Sequence, residues 1–132
     1  MGAYRILRTP PFDADVARLT RKFPKLASHL DEFFAENLAT APRRLGTPVG
    51  RNPHFWKARI GIPSAGISKR DGLRLIYRIQ DQHEMVVPLT LYHKAEKRDV
   101  TDAEIKRAVE ATRRHFEQEL RKRGIDPTLV KL

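Results

Sequence analysis

The chain has 132 residues, of which 40% are hydrophobic and 32% charged, a balance typical of a globular domain with a modest core. It contains no cysteine, which excludes disulfides, thiolate metal sites and a cysteine nucleophile. No apolar run approaches the roughly 18 residues of a membrane span, and the first residues lack a signal-peptide core. We therefore expect one cytoplasmic domain over residues 1–132, with residues 124–132 as a C-terminal tail and no membrane partner.

The formal net charge is +10, and it is concentrated in the middle of the chain. Residues 1–42 have six basic and five acidic side chains, and residues 79–132 have eleven and ten, so each segment has a net charge of +1. Residues 43–78 have nine basic side chains and one acidic, a net charge of +8. Such a concentration is the electrostatic footprint of a polyanion site and favours RNA as the partner. The alternative is a basic surface that only promotes solubility.

The first third of the chain predicts a short strand and a helical hairpin. Residues 4–7 are a strand candidate that ends before Pro10 and Pro11. Asp13 can cap a helix that Pro24 ends. The apolar residues of both helices recur at helical spacing: Val16, Leu19 and Phe23 in the first, and Leu26, Leu30, Phe33, Phe34 and Leu38 in the second. Residues 42–53 hold three prolines and two glycines, which predict an irregular stretch.

Three strands of an antiparallel meander are predicted next. Alternation over residues 54–60 places Phe55, Lys57 and Arg59 on one face. A glycine-rich basic connection, residues 61–72, leads to a strand over residues 73–79. Its core face is Leu73, Leu75, Tyr77 and Ile79, with Arg74, Ile76 and Arg78 opposite. The third strand, residues 85–92, contains Pro88, which belongs at a sheet edge or a bulge.

The last element is a long helix. Thr101 and Glu104 form a capping box at its start, and Gly124 is a suitable stop. Its apolar stripe is Ile105, Val109, Thr112, Phe116 and Leu120. The predicted fold class is therefore α+β, with the order β-α-α-β-β-β-α and an antiparallel sheet packed against the hairpin and the C-terminal helix.

The basic residues on the strands suggest where chemistry could occur. Cationic side chains outnumber aromatic platforms on the exposed face, which favours contact with phosphate over readout of base sequence. Metal-independent cleavage of RNA by its own 2′-hydroxyl needs a base, fixed cations around the phosphorus and an acid for the leaving oxygen. Arg74 stands between apolar residues, Leu73 and Leu75, in its strand, where a guanidinium needs a carboxylate or a phosphate. The expected RNA contacts are Lys57, Arg59, Lys69, Arg70 and Arg78.

The proton carriers would be Tyr92, His93 and Lys94, where the third strand ends. An imidazole titrates near neutral pH, which suits proton transfer. The alternatives are that His93 is a satisfied structural histidine and that Tyr92 packs on the last helix. No nucleotide-binding glycine motif, Cys/His metal spacing or serine-hydrolase elbow occurs, so no cofactor or metal is expected. Glu117 with Glu119, and Asp99 with Asp102, are expected to be solvated surface acids.

Two strings in order and at this spacing resemble the RelE/HigB superfamily of toxins from bacterial toxin–antitoxin systems. The first is G-x-R-x-I-Y at residues 72–77, and the second is Y-x-K-x-E-K-x-D-V-T at residues 92–101. The resemblance spans roughly residues 3–115. It implies a metal-independent endoribonuclease that cuts mRNA in the ribosomal A site, and a cognate antitoxin that covers the basic groove. It also implies that Arg74 is the transition-state cation, with Lys57, Arg59 and Lys94 at the family's other basic positions and Tyr92-His93 similar to a pair in HigB-type members.

The chain departs from the RelE pattern at Ala95, where a second arginine is expected, and at Thr101, where a tyrosine is expected. If the chain cuts RNA, Tyr92 and His93 would carry the proton transfer. Two alternatives stay open, a ParE-like toxin that binds DNA gyrase and an inactive RNA-binding relative. The four strand cations, Lys57, Arg59, Arg74 and Arg78, argue against the first.

Overall fold

The computed structural model describes residues 3–50 and 52–132, without the side chains of Asn52 and Pro53. Arg51, one of the nine basic residues of the middle segment, lies outside the described residues. The strands are β1 (Arg5–Ile6), β2 (Gly46–Val49), β3 (Asn52–Ile60), β4 (Leu73–Gln80) and β5 (Met85–His93). The helices are α1 (Pro10–Thr20), α2 (Leu26–Phe33), which continues as a π-helical turn (Phe34–Leu38), and α3 (Asp102–Lys122), with single 3-10 turns at Pro63–Ala65 and Pro127–Leu129. Among the described residues, no helix is both long and apolar enough to cross a membrane.

The strands form one sheet in the order β1-β5-β4-β3-β2. Strands β2 to β5 pair with their sequence neighbours in antiparallel fashion, which confirms the predicted meander. Strand β1 pairs with β5 in parallel, through Arg5 opposite Met85 and Ile6 opposite Val86. Parallel pairing of β1 was not predicted, because two residues of strand give no signal of their direction.

The helical hairpin and the C-terminal helix pack against the sheet, as predicted, and they cover opposite faces of it, which was not predicted. Alternation along β4 explains this, because it sends Leu73, Leu75 and Tyr77 to one face and Ile76 to the other. The first face packs on α1 and α2, and the second packs on α3 through a stripe of buried helix residues, Ile105, Val109, Thr112, Phe116 and Leu120. We call these the hairpin face and the α3 face of the sheet.

The start of α1 differs from the prediction. The helix begins at Pro10 with Thr9 as its N-cap residue, and Asp13 lies in the first turn instead of capping it. Proline suits the first turn of a helix because its missing N–H has no partner there in any case. The helix also ends at Thr20, before Pro24 is reached. At α3, by contrast, the capping box of Thr101 and Glu104 is present, and Gly124 follows the helix at a φ of 73°.

Strand β2 lies in the stretch predicted to be irregular. It pairs at the edge of the sheet, from Gly46 opposite Ala58 to Val49 opposite Asn52. Pro48 is compatible with an edge strand, where a missing N–H costs no ladder hydrogen bond. Beyond Ala58, β2 no longer covers β3, so Arg59 and Ile60 stand past the end of the β2 pairing.

The predicted irregularity at Pro88 is confirmed. Tyr77 pairs with Pro88 while Ile76 pairs with Thr90, so Leu89 is an extra residue on β5. The bulge reverses the alternation of the strand. Before it, Val87 belongs to the α3 face and Val86 to the hairpin face, and after it Tyr92 belongs to the α3 face and Leu91 to the hairpin face.

Candidate functional site

Three polar side chains form a row across the α3 face of the sheet. Arg59 on β3 is opposite Arg74 on β4, and Arg74 is opposite Tyr92 on β5. Directly opposite residues of neighbouring strands share a face. Lys57 lies two residues before Arg59 and therefore on the same face. The structure thus brings together four of the predicted site residues, which we call the basic row: Lys57, Arg59, Arg74 and Tyr92.

Arg74 is buried, with 5% of its surface exposed. Its guanidinium donates from Nη1 to the carbonyl oxygens of Lys69 (2.9 Å) and Leu73 (3.1 Å), and from Nη2 to that of Arg70 (2.7 Å). Burial, and then the nearby charge of Arg59, lower the pKa of Arg74. The neighbourhood supplies carbonyl oxygens instead of the carboxylate or phosphate that the sequence suggested, and these fix the orientation of the guanidinium.

Asp99 joins the basic row from the segment between β5 and α3. Its Oδ1 accepts from Lys57 Nζ at 3.3 Å, from the backbone N–H of Val100 at 2.8 Å and from the Tyr92 hydroxyl at 3.4 Å. The backbone hydrogen bond and Lys57 hold the pKa of Asp99 below its usual value against the opposing effect of burial. Asp99 is exposed, as expected of a solvated acid, but its contacts with Lys57 and Tyr92 were not predicted. Asp99 lies after the end of β5, where no alternation indicates the direction of a side chain.

The Tyr92 hydroxyl is the one proton donor with a strongly shifted pKa in the row. Burial, and then the negative charge of Asp99 and the hydrogen bond to it, raise the pKa of Tyr92 to about 12. The side chain is 3% exposed and packs in the apolar cluster under α3. The alternative interpretation, in which Tyr92 packs on the last helix, agrees with this position, and the hydroxyl also contacts Asp99 beside the row. At neutral pH the phenol is protonated and can donate a proton.

His93 is not part of the row. Its ring packs edge-on against Phe23, with 5.2 Å between the ring centroids, and Lys22 Nζ lies 3.5 Å from Nδ1. The residue is 6% exposed and belongs to the hairpin face. Tyr92 and His93 therefore lie on opposite faces of the sheet, contrary to the expectation that the pair carries the proton transfer together. Neighbouring residues of a strand point to opposite faces.

The remaining predicted site residues, Lys94 among the catalytic group and three RNA contacts, differ in exposure. Lys69 and Arg70 are exposed on the connection between β3 and β4, and Lys94 is half-buried just after β5. Arg78 lies on the α3 face but is buried, at 8% exposure, and its Nε and Nη1 atoms have no hydrogen-bond partner among the described residues. Burial lowers its pKa. Arg78 is thus separated from the accessible cations.

The described residues contain no group of three or more His, Cys, Asp or Glu side chains placed to hold a metal ion. Together with Asp99, the basic row offers three cationic side chains, one carboxylate and one phenolic proton. Cations of this kind stabilise charge that develops on a phosphorus centre.

No protein-family model and no curated protein matches the chain. The crystal structure of the toxin–antitoxin complex RelBE2 from Mycobacterium tuberculosis is similar, with 30% identity, a TM-score of 0.54, and coverage of 69% of this chain and 98% of that chain. A conserved hypothetical protein from Helicobacter pylori is 19% identical, at a TM-score of 0.42 and coverage of 70% and 97%. A mutant of the E. coli toxin RelE in the free state is 14% identical, at a TM-score of 0.43 and coverage of 73% and 88%.

Proposed function

This chain belongs to the RelE superfamily of toxin–antitoxin toxins, and from that premise we propose that it is a metal-independent endoribonuclease acting on ribosome-associated mRNA. The observation that carries the proposal is the basic row, in which Arg59, Arg74 and Tyr92 stand side by side on three neighbouring strands. Arg59 is exposed and forms no ion pair with any described residue, so its charge is available to a phosphate.

The proposed reaction is attack of the RNA's own 2′-oxygen on the adjacent phosphorus. The 2′-hydroxyl proton passes to the Asp99 carboxylate, and the new oxygen–phosphorus bond closes a 2′,3′-cyclic phosphate. The bond from phosphorus to the 5′-oxygen breaks, and the Tyr92 phenol gives its proton to that oxygen, leaving a 5′-hydroxyl. Arg59 and Arg74 stabilise the charge that builds on the phosphorane oxygens. Proton exchange with water then restores Asp99 and Tyr92.

In this proposal the proton transfer does not involve His93, since its side chain lies on the hairpin face against Phe23. Lys94 follows Tyr92 after one residue, and its ammonium group is proposed to hold the phosphate next to the cleaved one. Lys69 and Arg70 are exposed on the loop whose carbonyls orient Arg74, and they are proposed to bind flanking phosphates.

The test compares RNA cleavage by single variants that keep the fold. Arg59→Ala removes an exposed cation, and we expect a loss of about a hundredfold in rate, as for a lost transition-state donor. Tyr92→Phe removes only the hydroxyl, and we expect a loss of roughly 10²-fold or more, as for a lost general acid. The control is Arg107→Ala on α3, which removes the same charge from an exposed site away from the row. Equal rates for all three variants would contradict the proposal.

A second candidate is an RNA-binding protein without nuclease activity. It is favoured by the three hydrogen bonds that the Arg74 guanidinium donates to backbone carbonyl oxygens and by the ion pair of Lys57 with Asp99. Such a protein would bind RNA with a steep dependence on salt, because phosphate contacts release counterions. It would leave the RNA intact, alone and on ribosomes.

We also propose a cognate antitoxin as the protein partner. The similar RelBE2 structure is a toxin–antitoxin complex, and an acidic partner would offset the net charge of +10. Expression of this chain alone is expected to arrest growth, and co-expression of the protein encoded beside it is expected to restore growth. Arrest that no neighbouring gene relieves would argue against such a partner.

A further inference from the structure

A cleft of about 650 Å³ opens beside the basic row. One wall is α2 with its π-helical turn, and the other is the end of β3 with the connection that follows it. Because β2 pairs with β3 only as far as Ala58, Arg59 and Ile60 pair with β4 on one side and have no β2 partner on the other. Arg59 belongs both to the basic row and to the cleft, so the two share one cation at the end of β3.

The two walls carry opposite charges that do not neutralise each other. Glu32 and Glu36 line the helical wall, and Arg59 and Lys69 line the other. None of these four side chains forms an ion pair or a side-chain hydrogen bond with any residue that the structure describes. An unpaired anionic wall opposite an unpaired cationic wall is complementary to a ligand that has a negative group at one end and hydrogen-bond donors at the other.

The interior of the cleft is largely apolar. Phe33, Ile60 and Ile67 line it, and Phe33 is half-buried. His29 also lines the cleft, and its Nε2 atom is buried without a hydrogen-bond partner among the described residues. An aromatic surface together with an unsatisfied polar atom suits a flat heteroaromatic ligand.

We propose that this cleft binds a guanine base of the RNA strand whose phosphate rests on Arg59 and Lys69. The inference rests on the proposed RNA-binding function and adds base selectivity to it. Unstacked bases of single-stranded RNA are commonly stacked on aromatic side chains and read along their Watson–Crick edges. Of the four bases, guanine presents two adjacent donors on that edge, N1–H and the N2 amino group. A carboxylate, which only accepts, matches this pair with its two oxygens.

The experiment measures binding of labelled tetranucleotides AAGA, AAAA, AACA and AAUA by fluorescence anisotropy at one fixed salt concentration. All nucleotides carry 2′-O-methyl groups, which remove the nucleophile and separate binding from cleavage. We expect the guanine probe to bind roughly tenfold more tightly than the other three, the size of discrimination that a bidentate contact gives. The variant Glu32→Gln/Glu36→Gln is expected to lose this preference and to keep its affinity for the other probes.

The matched control is Glu110→Gln/Glu117→Gln on α3, which makes the same change in charge away from the cleft and is expected to keep the preference. Thermal unfolding of each variant checks that the fold is retained. Equal binding of all four probes, or a preference that survives in the cleft variant, overturns the inference while the proposed function stands. If no probe binds, both the inference and the proposed function fail. If the cleft variant instead weakens only the complex with the antitoxin, the cleft is a protein-docking surface and the inference is overturned.

Discussion

Arg78 offers a sharp test of the energetics of the α3 face. It is 8% exposed, stands opposite Phe55 and Val87 in neighbouring strands, and leaves Nε and Nη1 without a partner among the described residues. A buried cation with unsatisfied donors destabilises a folded protein, and replacing it with an apolar side chain of similar length is often stabilising. We therefore predict that Arg78→Met increases the free energy of unfolding.

The expected gain in the free energy of unfolding follows from the two donors of Arg78, Nε and Nη1, that lack a partner among the described residues. Each buried donor without an acceptor costs about 1–3 kcal/mol. Allowing for the solvation that remains at the exposed edge, the expected gain is about 2–4 kcal/mol, together with a rise in Tm of roughly 10 °C. Burial lowers the pKa of Arg78, which agrees in direction with an ionised form that is poorly solvated.

The assay is urea denaturation of wild type, Arg78→Met and the control Arg59→Met, with comparison at equal m-values. Arg59 is exposed, and its substitution is expected to change stability by at most about 0.5 kcal/mol. RNA affinity of Arg78→Met is expected to match wild type, whereas Arg59→Met is expected to bind more weakly. A destabilised Arg78→Met variant would refute the reasoning, because Arg78 would then have a partner that stabilises it. A large loss of RNA affinity would instead restore Arg78 as an RNA contact.

Three further predictions follow from single features of the structure. Gly72→Ala is expected to lower the free energy of unfolding by about 3 kcal/mol, measured by urea denaturation, because a Cβ would overlap the Ile60 carbonyl oxygen and lie 3.0 Å from that of Ser68; an unchanged midpoint would contradict this. Thr101→Ala removes the N-cap hydrogen bond of α3 and is expected to cost about 1 kcal/mol, with Thr101→Ser close to wild type. The rate of RNA cleavage is expected to stay level between roughly pH 5 and 10. The acid, Tyr92, has a pKa of about 12 and stays protonated across this range, and Asp99, whose pKa is lowered, stays ionised across it. A rate that varies within this range and that becomes level in His93→Gln would instead indicate an imidazole in the reaction.

The parts of the fold that the sequence predicted are those in which a regular pattern of apolar residues continues over a whole helix or strand. The stripe of α3 and its capping box appear as expected, and so does the alternation of β4 that divides its side chains between the two faces. Strand β2 was missed because Gly46 and Pro48 are also typical of turns, and only its pairing with β3 makes it a strand. The start of α1 was misplaced because Pro10 and Pro11 were interpreted as the end of a strand, whereas they form the first turn of a helix.

The candidate site was predicted only in part, because only some of its residues lie on strands with a regular alternation. Lys57, Arg59 and Arg74 follow regular alternation and do share a face. The positions of Tyr92 and His93 depend on the extra residue at Leu89, which reverses the alternation of β5 and brings Tyr92, not His93, to Arg74. Pro88 indicated an irregularity, but the sequence does not specify how many residues a bulge inserts. Asp99 reaches the row through a turn whose conformation depends on tertiary contacts, which no local pattern encodes.

The measurement that tests the central claim most directly is the chemistry of the RNA ends after incubation with the purified protein in EDTA, with and without ribosomes. Two substrates are compared, an all-RNA strand and the same strand with a single 2′-deoxynucleotide at the cleavage position. The basic row predicts a 2′,3′-cyclic phosphate and a 5′-hydroxyl from the first substrate, and no cleavage at the modified position of the second. Cleavage of the deoxy substrate, 3′-hydroxyl ends, or intact RNA under both conditions would contradict the proposed reaction.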